Sequence, residues 1–367
     1  MHHYITIAEQ FAPSKRVIDA HEFGNGNIND TYLVCTETDV SEDKQFVLQR
    51  INTQVFKQPK LIMQNMRAFT EHVRRRAHDE GHHWEMPRVI PAHDGQDFYI
   101  DPEGNFWRAI SYVHGTQSFE TIKDNKLAYE VGYALGTFQY LISDLPINKL
   151  ADTLEGFHIM PRYLQNFDEA FSHNGYKSSA EVKYCLNFME QRREFAHVLE
   201  NARQQGRLQL RPVHGDPKVN NVMIEESTGR AISIVDLDTV NPGLIHYDIG
   251  DCMRSGCNPL GEETERWEAV QFDPETCAAI LEGYLTQARK FLTAADYEYL
   301  FDSIRLLTFE LGVRFFTDYL AGNVYFKVRH PQHNLQRALV QFKLTESIEG
   351  YEADIRQIIQ GMVSPAL

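Results

Sequence analysis

The stretch Val213-His214-Gly215-Asp216-Pro217-Lys218-Val219-Asn220-Asn221, followed farther on by Ile234-Val235-Asp236-Leu237-Asp238, decides how the rest of the chain is read. Val222–Glu225 and Ile232–Val235 are short β-rich runs joined by turn chemistry at Ser227-Thr228-Gly229, so the chain should fold back as a hairpin. That return sets Asp236, at the end of the second strand, beside Asn221. Taken singly, each residue has an ordinary structural reading. An Asp after Gly suits a turn, Asn220-Asn221 suits a loop, and Asp236 or Asp238 could cap a helix. Taken together, the spacing H-G-D-x-x-x-x-N with I-V-D behind a hairpin fits one chemistry. Moving a phosphoryl group to a hydroxyl needs a carboxylate for the hydroxyl proton, hard oxygen ligands for Mg²⁺, and a cation near the group in transfer. Asp216 suits the base, Asn221 and Asp236 the metal ligands, and Lys218 the cation.

Outward from the motif, the two sides of the chain differ. From Val17 to about Ile122 the pattern is of strands and turns with one helix. Thr31–Cys35 and Phe46–Gln49 are β-rich, and Lys60–Arg76 carries Leu61, Met63, Met66, Phe69 and Val73 at helical spacing. Asp94-Gly95 and Glu103-Gly104-Asn105 separate the further strands Arg88–Pro91, Phe98–Ile100 and Phe106–Val113. Past Gly115 the pattern turns helical, at Asn125–Ser143, Glu181–Gln205, Glu262–Val270, Pro274–Leu292, Ala294–Leu320 and Leu335–Gln360. Leu210–Val213, Val222–Glu225 and Ile232–Asp238 form a β island within it. The expected class is therefore α+β, with a β-rich N-terminal lobe, a mainly helical C-terminal lobe, and a join near Ser111–Gly115.

Composition narrows the partners. The 367 residues are 43% hydrophobic and 24% charged, enough for a sizeable core. A formal net charge of -15 repels phosphate backbones, so no nucleic-acid partner is expected. It leaves room for ATP, whose phosphates are neutralised locally by Mg²⁺, a few cations and backbone N–H groups. Cys35, Cys185, Cys252, Cys257 and Cys277 have no zinc-ligand spacing and suit free thiols in a reducing cytoplasm. His78, His82 and His83 suit a solvated loop. Neither a basic leader nor an apolar run of membrane length is evident, so neither membrane nor secretion is expected, and no obligate protein partner is called for.

The paired motifs resemble the catalytic loop and metal-binding strand of the aminoglycoside phosphotransferase and choline kinase superfamily, relatives of the protein-kinase H-R-D-x-x-x-x-N and D-F-G elements. The resemblance covers nearly the whole chain, because lobes, hinge and motifs come in the matching order. It implies a bilobal protein-kinase-like fold, ATP and Mg²⁺, with nucleotide held by residues 1–113 and catalysis and acceptor binding in residues 114–367. A finer likeness is to N-acetylhexosamine 1-kinases. Its carrying segments are Gly24-Asn25-Gly26-Asn27-Ile28-Asn29-Asp30-Thr31-Tyr32, Phe46-Val47-Leu48-Gln49-Arg50-Ile51-Asn52, Trp107-Arg108, Arg314-Phe315-Phe316-Thr317-Asp318-Tyr319-Leu320 and His333-Asn334-Leu335. This implies a small-molecule sugar acceptor, phosphorylated on the anomeric hydroxyl of N-acetylglucosamine or N-acetylgalactosamine. Hexose, homoserine, choline and aminoglycoside are alternative acceptors, and a nucleotide-binding protein without turnover is the alternative of another class.

Supporting roles follow from position. Gly24, Asn25, Gly26 and Asn27 precede a strand, where small residues let backbone N–H groups approach phosphates. The strand lysine usual in kinase-like folds is absent. Gln49 aligns with it, while Arg50 offers the charge on the opposite face and is taken as the phosphate contact. Glu71 or Asn65 is the helix partner, and adenine is expected against the hinge at Ser111–Val113. Asp248 is read as a brace for the catalytic loop, Asp251 beside Arg254 as facing the cleft, and Asp238 as a second metal-site carboxylate or its neighbour. Arg314 and Asp318, four apart on one helix in the largely apolar Leu306–Leu320, share a face and are expected to meet acceptor hydroxyls. Tyr319 or Tyr325 would supply an aromatic platform.

Overall fold

The structure, a computed structural model, describes residues 2–12, 15–24, 28–37, 44–174 and 178–363. The chain opens with a helix that periodicity did not suggest, α1 (His2–Glu9), followed by strands β1 (Arg16–Glu22), β2 (Asp30–Glu37) and β3 (Gln45–Ile51). Helix α2 (Pro59–Asp79) begins with proline in its first turn, where the missing N–H costs nothing. It buries Ile62, Met63, Met66, Phe69, Val73 and Ala77 at helical spacing. Strands β4 (Val89–Ile90), β5 (Tyr99–Ile100) and β6 (Phe106–Ser111) complete an antiparallel sheet of order β1-β2-β3-β6-β4, with β5 also on β6.

Period-two alternation gives this sheet two unlike faces. Phe46 and Leu48 pack with Ile7, Phe11, Tyr32, Val34 and Trp107 under α1. Ile51, Phe106 and Ile110 join the large core shared by α2 and the helical half. Gln49 and Arg108 stand opposite each other on this second face, Arg50 and Trp107 on the first.

Beyond the hinge, β7 (Thr116–Gln117) leads into α3 (Asn125–Ile142), capped by the Asp124 carboxylate on the Leu127 N–H. Then come α4 (Met160–Asn174), which the sequence pattern did not reveal, α5 (Ala180–Glu190) and α6 (Val198–Gln204). The β island follows as β8 (Arg211–Val213), β9 (Val222–Glu225), β10 (Ala231–Ile234) and β11 (Asn241–Gly243). β9 lies between β7 and β10, and β8 pairs with β11. The remaining helices are α7 (Ile245–Gly256), α8 (Pro274–Ala288), α9 (Ala294–Glu298), α10 (Leu300–Leu320), α11 (His333–Gly350) and α12 (Glu352–Val363). Helices α3 and α8 touch backbone to backbone. A Cβ on Gly132 would lie 1.9 Å from the Ile280 carbonyl oxygen, and one on Gly283 would lie 1.9 Å from that of Tyr129. Among the described residues, no helix is long and apolar enough to cross a membrane.

Several expected long helices are interrupted. Glu181–Gln205 breaks after α5, where Arg192 stacks on Phe188, donates to its carbonyl and pairs with Glu349 on α11. Ala294–Leu320 breaks at Tyr299, and Leu335–Gln360 at Tyr351. Glu262–Val270 yields only a single 3₁₀ turn at Trp267–Ala269. The carboxylates of Glu262 and Glu263 at its start are drawn away, to Arg254 and to His333 and Arg337.

Candidate active site

The loop after β8 is held rigidly. Asp248 at the start of α7 accepts from the His214 N–H at 2.9 Å, the Gly215 N–H at 2.8 Å and Gln139 Nε2 at 2.8 Å. Asp248 is thus placed as the brace for this loop. Gly215 has φ +87, and a Cβ there would meet the Thr239 carbonyl oxygen at 2.8 Å, so glycine is required on both counts. His214 is buried and donates Nε2–H to the Val235 carbonyl while Nδ1 accepts from the Asp216 N–H. That is the neutral tautomer, consistent with burial lowering its pKa.

Asp216 leaves this loop with its carboxylate 3.3 Å from Lys218 Nζ. The charge of Asp216 outweighs burial and holds the Lys218 ammonium above its ordinary range. Asn221 Nδ2 donates to the Asp216 carbonyl at 2.7 Å and lies 3.4 Å from its carboxylate. The amide is thereby oriented, with Oδ1 as its acceptor end. The β9–β10 hairpin returns as expected. Val235 N–H bonds the Asn221 carbonyl at 2.8 Å, and Asp236 follows in the left-handed region at φ 64. Such a backbone is uncommon for a non-glycine residue and marks a position fixed by its surroundings. Burial among protein atoms, then repulsion from Asp216 and Asp238, pushes the Asp236 carboxyl up to about 6, although the residue as a whole is exposed to solvent. A crowd of carboxylates with an oriented amide oxygen is a hard-oxygen donor set that a divalent cation would relieve. Asn221 and Asp236 therefore fit Mg²⁺.

On the sheet side, two assignments change. Arg50 lies on the α1 face, where it pairs with Asp30 and packs 6.0 Å from the Trp107 ring. It is not the cleft arginine. The strand alternation that turns Gln49 inward turns Arg50 outward. The inward cation is Arg108 on the neighbouring strand, which donates to Gln49 Oε1 and forms a fully buried ion pair with Asp238. Asp238 also accepts from Asn29 Nδ2 at 2.6 Å. Its carboxylate is thus committed to tying the sheet to the β10 end, and does not serve as a second cation ligand. Asn65 on α2 donates to the Ala151 and Val240 carbonyls, and Glu71 pairs with Arg67, so neither meets Gln49 or Arg50.

Gly24, at φ +75, lines a cleft of about 790 Å³ together with Thr31, Lys218, Asn220, Arg254 and Lys327. Asn25, Gly26 and Asn27 lie outside the described residues. Ser111 and Val113 line a separate recess with Trp84, Arg88 and His78. The Ser111 hydroxyl accepts from the Arg88 N–H, and the Val113 carbonyl accepts from Thr116.

On the other flank of Asp216, a smaller cavity gathers Asp251, Arg254, Arg314, Tyr325 and Phe326. Burial opposes the charge of Asp251, but Arg254, at 2.8 Å, holds its carboxyl below the usual range. Arg314 packs among the rings of Phe157, Tyr163 and Phe326. Its ionic partner is Glu310, at 3.7 Å, not Asp318. Asp318 faces away and accepts the N–H groups of Val324, Tyr325 and Phe326 and the amide of Asn334. It fastens the loop after α10 and has no acceptor-facing role. Sequence reasoning missed Arg108, Asn29, His158 and Glu310. For Arg108 the signal was an arginine inside an apolar strand.

A two-lobed fold in which Asp216, Lys218, Asn221 and Asp236 gather at the ends of β8 and β10 is that of the protein-kinase-like phosphotransferases. The sequence matches the phosphotransferase enzyme family over residues 19–289, and the chain belongs to that family. Its fold is shared with an aminoglycoside phosphotransferase from Alicyclobacillus acidocaldarius, at TM-score 0.62 and 13% identity over 94% of this chain and 93% of the other. Choline kinase from Cryptosporidium parvum gives 0.57 at 14% identity, over 94% and 91%. A spectinomycin phosphotransferase in complex with ADP and spectinomycin gives 0.53 at 14% identity, over 98% and 97%.

Proposed function

We propose that the protein is a kinase that transfers the γ-phosphoryl group of ATP, with Mg²⁺, to a hydroxyl of a small neutral acceptor. The proposed acceptor is the anomeric hydroxyl of N-acetylglucosamine or N-acetylgalactosamine, giving the sugar 1-phosphate. The observation that carries the phosphotransfer reading is the gathering of Asp216, Lys218, Asn221 and Asp236, with Lys218 and Asn221 in contact with Asp216 and Asp236 within reach of its charge. The sugar reading is supported by the five segments similar to N-acetylhexosamine 1-kinases. The mixture of rings and paired charges beside Asp216 also favours a hydroxylated ligand over a bare cation. The enzyme is proposed to act in the cytoplasm, with no nucleic-acid, membrane or obligate protein partner.

In this mechanism the acceptor hydroxyl lies against the Asp216 carboxylate. Its oxygen forms the new bond to the γ-phosphorus, the bond from phosphorus to the ADP oxygen breaks, and the hydroxyl proton passes to Asp216. Lys218 balances charge on the group in transfer, and the Asp248 brace keeps the loop from drifting. Mg²⁺ held by Asn221 and Asp236 would neutralise phosphate charge. No phosphoenzyme is required.

ADP release measured with a panel of N-acetylhexosamines, hexoses, homoserine, choline and aminoglycosides tests the assignment. Turnover confined to N-acetylhexosamines is expected. Turnover of choline or an aminoglycoside alone would overturn the sugar reading, and none with any acceptor would overturn the kinase reading.

A further inference from the structure

Beside Asp216 the cavity is lined by four carboxylates, Asp216, Asp251, Glu262 and Glu310, and by Lys218, Arg254, Arg314 and His158. His158 is a cation on geometric grounds. Its Nδ1 lies 2.9 Å from Glu310 Oε1 and its Nε2 lies 2.7 Å from the Gly215 carbonyl oxygen. Both partners only accept, so both ring nitrogens must donate. Formal charges in the cavity therefore balance. Two oxygens are nevertheless left over. Glu310 Oε1 takes both His158 and Arg314, while Oε2 is buried and has no hydrogen-bond partner among the described residues. Asp251 repeats the pattern, since Oδ1 takes Arg254 while Oδ2 is buried without a partner. Buried carboxylate oxygens seldom go unsatisfied, and both residues line the cavity where an acceptor must reach Asp216. What they lack is hydrogen-bond donors rather than positive charge. His158 itself sits at φ 60, a backbone conformation uncommon for a non-glycine residue and one that the two bonds hold in place.

We propose that Glu310 binds the acceptor, taking a hydroxyl or amide N–H of a neutral polyhydroxylated molecule on Oε2, and that His158 is the positioning residue that links this contact to the Asp216 loop. This rests on the phosphotransfer reading and deepens it. Glu310 and Gly215 are joined through one imidazolium ring, so a ligand that fixes Glu310 also fixes the residue preceding Asp216. Acceptor contact and base alignment are then one unit.

The full-length protein carrying Glu310→Gln or His158→Asn tests this with N-acetylglucosamine, N-acetylgalactosamine and choline as probes. Glu310→Gln keeps an oxygen for His158 but turns an amide N–H₂ toward the acceptor. It should raise acceptor KM about 10- to 100-fold with ATP KM changed less than about 3-fold. His158→Asn, a residue that tolerates the left-handed backbone, should lower kcat about 10- to 100-fold with acceptor KM nearly unchanged. A merely structural role would move ATP KM and acceptor KM together. Unchanged acceptor KM in Glu310→Gln, or unchanged kcat in His158→Asn, overturns the inference. Should a variant fail to fold, deoxy analogues of N-acetylglucosamine on the unaltered protein decide. One analogue that loses about 10-fold or more in kcat/KM supports the inference, and uniform tolerance of every deoxy position overturns it. Sugar turnover with an unaffected Glu310→Gln sinks only this inference. Choline turnover without sugar turnover sinks the acceptor reading as well.

Discussion

Replacing Asp318 by asparagine separates two accounts of the residue. In the structure Oδ1 accepts from Val324 N–H and Tyr325 N–H at 2.8 Å each, and Oδ2 from Phe326 N–H at 3.0 Å and Asn334 Nδ2 at 2.8 Å. Asparagine keeps an oxygen for the first pair but without full charge, which weakens each bond by about 0.5–1 kcal/mol. Its Nδ2 would face the second pair donor against donor, and two lost bonds on a buried group cost about 1–2 kcal/mol each. The sum is about 3–6 kcal/mol. For a chain of 367 residues unfolding as one unit, at about 2.1 cal/mol/K per residue, that lowers Tm by about 4–8 °C. Differential scanning calorimetry with saturating ADP reads the shift. The loop also presents Tyr325 and Phe326 to the acceptor cavity, so acceptor KM should rise while ATP KM holds. An unchanged Tm with a large rise in acceptor KM would refute the reasoning, because it would make Asp318 a ligand contact after all.

Four further outcomes follow from the geometry. Asp216→Asn should lower kcat by about 10²-fold or more with ATP affinity within about 3-fold, checked by single-turnover kinetics and ADP calorimetry. Asp236→Asn should raise the Mg²⁺ concentration needed for half-maximal rate by about 10-fold or more, checked by metal titration at fixed ATP. Arg108→Met leaves Asp238 buried without its cation and should destabilise the protein by about 3–5 kcal/mol in a denaturant titration, whereas Arg50→Met, on the half-exposed outer face, should cost less than about 1 kcal/mol. For His158 burial opposes the charge, but Glu310 on α10, with the Gly215 carbonyl, raises its pKa above the usual 6.5 against Arg314, and Asp251 on α7 also faces it. Its contribution is full below the unfolded value and is lost as pH rises through the folded one. The Tm gap between the parent protein and His158→Asn should therefore narrow as the pH is raised above the usual 6.5 of a histidine.

What the sequence disclosed depended on whether a residue's neighbours lay close along the chain. The β9–β10 hairpin was readable because strand, turn and strand are contiguous, so Asn221 and Asp236 could be brought together on paper. The same holds for α2 and α3, whose apolar stripes are local patterns. The breaks at Tyr299 and Tyr351, and after Glu190, were not readable. Helical spacing continues across each of them, and what divides the last is an ion pair from Arg192 to Glu349, far along the chain.

The same contrast sorts the site residues. Arg314 and Asp318 do share a helix face by spacing, yet spacing cannot say which distant group each meets. A glutamate one turn earlier claims Arg314, and the N–H groups of the following loop claim Asp318. Arg50 and Gln49 were correctly set on opposite faces, but choosing the charged one as the inward residue assumed that this strand itself must supply the cation. Arg108 supplies it from the neighbouring strand, paired with Asp238 far along the chain. A missing charge at a motif position therefore argues for looking across the ladder to the paired residue before looking along the strand. By that rule Trp107-Arg108, an arginine set in the apolar run Phe106–Val113, should have been preferred to Arg50 from the sequence alone.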